Sequence, residues 1–119
     1  TTLFRSWMSA PSLLKKWQDE VFTFLSKTPA VAGKSLTVVT TTGSEYEAYR
    51  SGGRNRFTMD ELLRPYQVSA IHSGMSWQTP IVVYGMGTAD AGKNIAEGAN
   101  LYKQRVEMLI GSSNAGNNW

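Results

Sequence analysis

Two short β-branched runs, at 36–41 and 80–84, alternate with three helical patterns along 119 residues. That alternation constrains the chain more than any other feature. Parallel strands need a crossover of a dozen or more residues, usually a helix, whereas a two-residue turn joins antiparallel ones. The order helix, strand, helix, strand, helix therefore predicts an α/β fold with a parallel sheet. Two parallel strands alone make a poor sheet, because such sheets are normally wide and covered on both faces. The apolar sides of three helices need more sheet than this. The expectation is that further strands come from the N-terminal side or from a partner chain.

The punctuation between elements is specific. Pro11 suits a first helical position, where its missing N–H costs nothing. Leu14, Trp17, Val21 and Phe24/Leu25 then recur every three or four residues as one apolar face, with Trp17 read as core. Lys15/Asp19 and Lys16/Glu20 are i,i+4 pairs on the wet side. Pro29 and Gly33 end the segment. Thr58 and Glu61 spell a capping box, with Phe57 and Leu62 at the positions of a hydrophobic staple. Pro65 should bend that second helix and Gly74 should close it. Gly85-Met86-Gly87 turns the chain, and Thr88 or Asp90 caps a third helix with an inner face of Ile95, Ala99, Tyr102, Val106 and Leu109. Gly111 is expected to end it, leaving 112–119 as a polar tail of a single domain, 1–119.

Composition narrows the function. A hydrophobic content of 41% with 18% charged residues is that of a globular domain. The net charge of +3 comes from basic residues not gathered into one run, so it reads as a solvated surface rather than a nucleic-acid face. Without cysteine there is no disulfide framework and no thiol nucleophile, which fits a reducing cytoplasm. One histidine, His72, and no cysteine leave little from which to build a transition-metal site. His72 falls in the last turn of a helix, where a cation suits the dipole. No G-x-S-x-G supports hydrolysis, no apolar run approaches a membrane span, and the N-terminus is not a signal peptide. A start at Thr1 is expected of a processed or partial chain.

The first run ends in Thr40-Thr41-Thr42-Gly43-Ser44, an abrupt change from β-branched bulk to small hydroxyls and glycine. In open α/β sheets, ligands bind in the crevice at the carboxyl ends of the strands. Such a turn, rich in backbone donors and free of large side chains, lets a flat, acceptor-rich ring approach closely. An ordinary strand-to-loop exit has the same residues. The long loop that follows, 42–56, carries Tyr49, Gly52-Gly53 and Asn55. Its Arg50, Arg54 and Arg56 could meet phosphates bidentately or simply form a solvated basic loop.

At this point the residues resemble a family. Trp7-x-x-x-Pro11-x-Leu-Leu-Lys-Lys-Trp17-x-Asp19-x-Val-Phe22 is similar to the segment after the third strand of flavodoxin-like NAD(P)H:quinone oxidoreductases. Thr41-Thr42-Gly43 with Tyr49, Gly52/Gly53 and Asn55 resembles their second flavin-contacting loop. Phe57-Thr58-x-x-Glu61-Leu-Leu-Arg-Pro65, Gly74-Met75 and Tyr102-Lys103-x-Arg105 continue the likeness. Bacterial members include general-stress flavoproteins and ancillary subunits of potassium efflux systems.

The resemblance implies a flavodoxin-like three-layer sandwich with its N-terminal strands outside this sequence. It also implies bound FMN or FAD, with NAD(P)H as hydride donor and a quinone-like acceptor. Arg5, Ser6, Trp7 and Met8 would border the ring, and Thr41, Thr42, Gly43 and Ser44 would bond its pyrimidine edge. Tyr49 would stabilise the reduced flavin. Asn55 stands where eukaryotic members place a histidine, so a histidine proton relay is not expected there. Phe4-Arg5-Ser6 also departs from the usual Pro-Leu-Tyr before the tryptophan. A homodimer is expected by analogy. An ancillary subunit bound to a membrane transporter, or an inactive fragment, are the alternative readings.

Overall fold

In the computed structural model, which describes residues 8–115, both β-branched runs pair in parallel, as the alternation predicts. The strands do not coincide with the runs, however. The first run is split between β1 (Ser35–Leu36) and β2 (Val39–Thr41); the second gives β4 (Ile81–Val83), with a further short strand, β3 (Ser76–Trp77), before it. β1 pairs with β3, Ser35 opposite Ser76, and β2 pairs with β4, Val39 opposite Ile81. Two residues separate β1 from β2 and three separate β3 from β4. The odd residue, together with Pro80, which has no N–H for a ladder, prevents continuous pairing through the interval. The sequence pattern had also left Ser76 and Trp77 outside any strand.

The described residues fall into two compact units. The first combines the chain up to Leu36 with Gln67–Trp77. Its helix starts one position later than expected, with Pro11 as N-cap (ψ 143°) and α1 at Ser12–Trp17. A π-helical stretch, Gln18–Phe22, follows, then α2, Thr23–Leu25. The π turn lengthens the repeat and is braced by the Thr23 hydroxyl, which donates to the Gln18 carbonyl at 3.0 Å. The expected stripe of Leu14, Trp17, Val21, Phe24 and Leu25 is exposed, while Gln18, Phe22 and Ser26 are half-buried. Trp17 is therefore not core; it is 44% exposed and stacks on Phe22 with ring centroids 5.7 Å apart. The two expected i,i+4 pairs, Lys15–Asp19 and Lys16–Glu20, do form. Gly33 and Gly74 both adopt positive φ, 75° and 68°, and the Gly33 N–H donates to the Gly74 carbonyl at 2.8 Å. That bond joins the two turns that lead into β1 and β3.

The second unit comprises Thr37–Tyr66 and the chain from Gln78 onward. Its capping box forms as read: the Glu61 N–H donates to the Thr58 hydroxyl, and the Glu61 carboxylate accepts from the Thr58 N–H at 2.8 Å. Pro65 breaks the helix rather than bending it. α3 (Met59–Leu62) stops, Leu63 takes φ −91° and ψ 2°, and α4 (Arg64–His72) begins. A proline at 65 has no N–H to offer the Glu61 carbonyl, so the ladder is lost there. The last helix, α5 (Ala91–Ala115), runs through Gly111, not up to it. An exposed glycine costs a helix only about 1 kcal/mol, and no proline follows to stop it. The face of α5 is set about one position earlier than the apolar periodicity suggests. Gly98 is buried and Asn94 and Arg105 are half-buried, whereas Ile95 and Tyr102 are 51% and 53% exposed; farther along, Val106 and Leu109 are half-buried as expected. Gly98 meets Val83 so closely that any β-carbon would overlap the valine methyl. Helix and strand therefore approach through a glycine and an amide. Ile81, Leu63 and Tyr49 form the buried apolar residues of this unit. No helix among the described residues is long and apolar enough to cross a membrane.

Candidate functional site

Parallel pairing of β2 and β4 puts both strand exits at the same end. The first exit is Thr42-Gly43-Ser44 and the second is Gly85-Met86-Gly87. Their backbones are tied together. Thr42 N–H donates to the Val83 carbonyl, Met86 N–H to the Thr42 carbonyl, Gly87 N–H to the Gly43 carbonyl and Gly85 N–H to the Ser44 carbonyl, each at 2.9 Å. The buried Thr42 hydroxyl adds a fifth bond, donating to the Ser44 carbonyl at 2.8 Å. Glycine is required at two points of this zipper. Gly85 has φ +73°, and a β-carbon on Gly87 would sit 3.0 Å from the Gly43 carbonyl oxygen.

This bonding has a consequence for charge. The carbonyls of Thr42, Gly43 and Ser44 are all engaged, while among the described residues the N–H groups of Gly43, Ser44 and Glu45 make no hydrogen bond. The turn thus has backbone donors to spare while its acceptors are spent. Arrays of free backbone N–H groups bind anions and acceptor-rich groups. The turn borders a shallow depression of about 460 Å³, whose wall includes Gly43, Ser44, Glu47, Arg54, Gly87 and Thr88. Arg54 donates to the Ser44 hydroxyl.

The rest of the loop packs on itself. A 3₁₀ turn, Tyr46–Tyr49, is closed by the Asn55 N–H, which donates to the Ala48 carbonyl at 2.9 Å. Gly53 lies against the Glu47 and Ala48 carbonyls, where no side chain fits. Tyr49 is 8% exposed. Its ring lies 5.8 Å from Tyr84, which in turn meets Tyr46 in a T-shaped contact at 5.3 Å. Burial, with the neighbouring Tyr46, Asp60 and Tyr49, pushes the Tyr84 phenol above its ordinary pKa. Arg50 lies over the Tyr46 ring at 5.7 Å.

Of the residues singled out from sequence, Thr42, Gly43 and Ser44 share one turn, with Thr41 ending β2 just before it. Tyr49 borders a different and larger cleft, about 590 Å³, with Tyr46, Tyr84, Met59 and Arg105. Asn55 is half-buried and borders neither. Met8 is exposed with φ 52°, and Arg5, Ser6 and Trp7 lie outside the described residues. Sequence reasoning missed Tyr46, Tyr84 and Asn94. The signal was present for one of them: Tyr84 ends a strand immediately before a Gly-x-Gly turn. Among the described residues, no cluster of histidine, aspartate and glutamate could hold a metal ion.

The parallel strands and the exit turns define a protein of the doubly wound α/β class, in which ligands meet the strand ends. Comparison with known proteins makes this specific: the family described by its flavodoxin-like fold matches residues 6–106, and the chain belongs to that family. It is 40% identical over 106 residues to general stress protein 14 of Bacillus subtilis, covering 86% of this chain and 60% of the relative. It is 38% identical to the NAD(P)H oxidoreductase YdeQ of the same organism, covering 87% and 54%. It is 44% identical over 80 residues to the potassium-efflux ancillary protein KefG of Serratia proteamaculans, covering 64% and 44%. The chain thus spans roughly half the length of these relatives.

Three solved structures superpose on it. One is the general stress protein 14 of Treponema denticola in complex with FMN, at TM-score 0.75 and 27% identity, over 87% of this chain and 61% of that one. The second is an NADPH-quinone reductase from P. pentosaceus, at 0.67 and 32%, over 78% and 60%. The third, at 0.76 and 39% over 85% and 60%, is described as a thermophilic tryptophan halogenase from Streptomycin violaceusniger.

Proposed function

We propose that the chain carries part of the flavin site of an NAD(P)H oxidoreductase that uses FMN and passes two electrons to a quinone-type acceptor. One observation carries this reading: the exit turn of β2 leaves the N–H groups of Gly43, Ser44 and Glu45 without a hydrogen bond among the described residues while its carbonyls are consumed by the Gly85–Gly87 turn. That donor set fits the acceptor-rich pyrimidine edge of an isoalloxazine, and the FMN complex of a relative supports the choice of flavin. The reductase names of two other matches support NAD(P)H as donor. When bound, flavin supplies the hydride chemistry; the protein's part is position and electrostatics. Gly43 and Gly87 let a ring come close to the backbone. The N–H array favours negative charge on the ring edge. Arg54 holds the Ser44 side chain in place. In this reading Tyr49 and Asn55 act on the reduced ring, and Arg5, Ser6, Trp7 and Met8 border it.

The test is to mix purified protein with FMN and with FAD, remove the excess, and record the visible spectrum. Retained, NAD(P)H-bleachable colour that returns on adding quinone is the expected result. Folded protein that retains neither flavin refutes the proposal.

A second reading rests on the 44% identity to a potassium-efflux ancillary protein: the chain belongs to a subunit that docks on a membrane transporter. Co-purification with a potassium/proton antiporter, unchanged by Tyr49→Phe, is its expected signature. Absence of any such complex counts against it.

A further inference from the structure

We infer that Tyr84 is a positioning residue that fixes the ring of Tyr49, an inference that rests on the flavin-site reading of Tyr49. Tyr49 is carried on a one-turn 3₁₀ segment inside the long 42–56 loop, which by itself gives a side chain little fixed direction. Yet it is among the most buried residues of its unit, at 8% exposure. Its aromatic neighbour is Tyr84 at 5.8 Å with rings tilted by 54°. The same Tyr84 ring meets Tyr46, from the start of the 3₁₀ turn, in a T-shaped contact at 5.3 Å and 89°. Both ends of the turn therefore rest on one ring.

That ring is itself well anchored. Tyr84 directly follows β4, and its carbonyl accepts the Asn94 side-chain amide of α5 at 2.9 Å. The next three residues are the Gly85–Gly87 turn that zips to Thr42–Ser44. Tyr84 thus joins the donor turn and the tyrosine-bearing turn through a single residue, without bordering the Gly43–Ser44 depression itself. Aromatic pairs of this geometry prefer edge-on and tilted contacts, which restrict orientation as well as add stability. The contact uses the ring faces and edges. Phenylalanine at 84 should then serve, and alanine should not.

The experiment compares Tyr84→Phe, Tyr84→Ala, Tyr49→Phe and the Tyr84→Ala/Tyr49→Phe double variant, each checked for folding by circular dichroism. In flavin-free protein, aromatic NMR of Tyr49 should keep its ring-current-shifted lines in Tyr84→Phe and lose them in Tyr84→Ala. In FMN-loaded protein, Tyr84→Ala should slow flavin reduction by NAD(P)H by roughly 10- to 100-fold, the scale of a small misplacement near the chemistry. It should act on kcat more than on KM. Tyr84→Phe should stay within about threefold of wild type, and the double variant should be no slower than the slower single one, because the two changes remove the same element. Tyr49 resonances that keep their wild-type positions in folded Tyr84→Ala, or strictly multiplicative rate losses, overturn the inference. Failure of wild-type protein to hold flavin overturns the underlying site reading instead, and leaves the NMR arm to decide the contact on its own.

Discussion

The two units contain nearly the same local ingredients and use them differently. Each has a two-stranded parallel pair and helical segments. In the first, Ala70 and Ser73 alone are buried among the described residues, and the apolar residues of α1 and α2 are exposed: Leu13 75%, Phe24 68% and Trp17 44%. In the second, Ile81, Leu63, Tyr49 and Thr42 are buried. The second unit gains its core by close approach. Gly98 lets α5 reach Val83, Asn94 reaches the Tyr84 carbonyl, and the strand exits are zipped by backbone bonds. Among the described residues, the entries to the first unit's strands are tied by the Gly33 N–H to the Gly74 carbonyl and the Ser76 N–H to the Lys34 carbonyl, and each strand has two residues. Apolar patterning alone does not make a core. It needs a surface that small residues allow to come near.

The largest test of that contrast is Ile81→Ala, which empties the buried centre of the second unit and should cost about 2–5 kcal/mol in denaturant titration. A loss under about 0.5 kcal/mol, the range of surface substitutions, would show that this unit is no better packed than the first. Gly98→Ala comes next. Its β-carbon overlaps Val83, so the gain in helix propensity should be overridden by a net cost of about 1–3 kcal/mol. Stabilisation would mean the α5–β4 approach is looser than described.

Thr58→Ala removes a local device and should cost about 1 kcal/mol, the usual worth of an N-cap. It also carries a pH signature. Hydrogen bonds from the Thr58 backbone, then its hydroxyl, with a smaller contribution from Arg64, hold the Glu61 carboxyl below its ordinary value of 4.5. A depressed carboxyl contributes stability above its unfolded pKa, and that contribution is lost as pH falls from about 4.5 through the folded value. The acid limb of the stability profile should therefore be shallower in Thr58→Ala than in wild type. Equal limbs would remove Glu61 from the account.

The smallest expected effect is Phe24→Ala. At 68% exposure it should change the stability of this chain by no more than about 0.5 kcal/mol. A loss comparable to that of Ile81→Ala would erase the contrast between the units.

Legibility followed the same division. The capping box was readable because Thr58 and Glu61 act on each other across three residues. The parallel pairing was readable because the crossover lengths allow little else. The donor turn at Thr42-Gly43-Ser44 was visible as small polar residues after a β-branched run, but its bonding to Gly85–Gly87 was not. The first half of the α5 face was misplaced, though Val106 and Leu109 were not: periodicity counts hydrophobicity, whereas Asn94 and Gly98 turn inward for a hydrogen bond and for space. Trp17 was misplaced together with Leu14, both exposed, because periodicity marks an apolar face but not whether a surface covers it.

By itself, the sequence determined the alternation of helices and strands, the parallel sense of pairing and the family, since these depend on spacing and on contacts a few residues long. Only the tertiary structure decided which carbonyls of the strand exits are spent, which N–H groups stay open, and that Tyr46, Tyr49 and Tyr84 meet. Those outcomes depend on partners about 35 to 45 residues apart, and no local pattern encodes the distance at which two backbones come to rest.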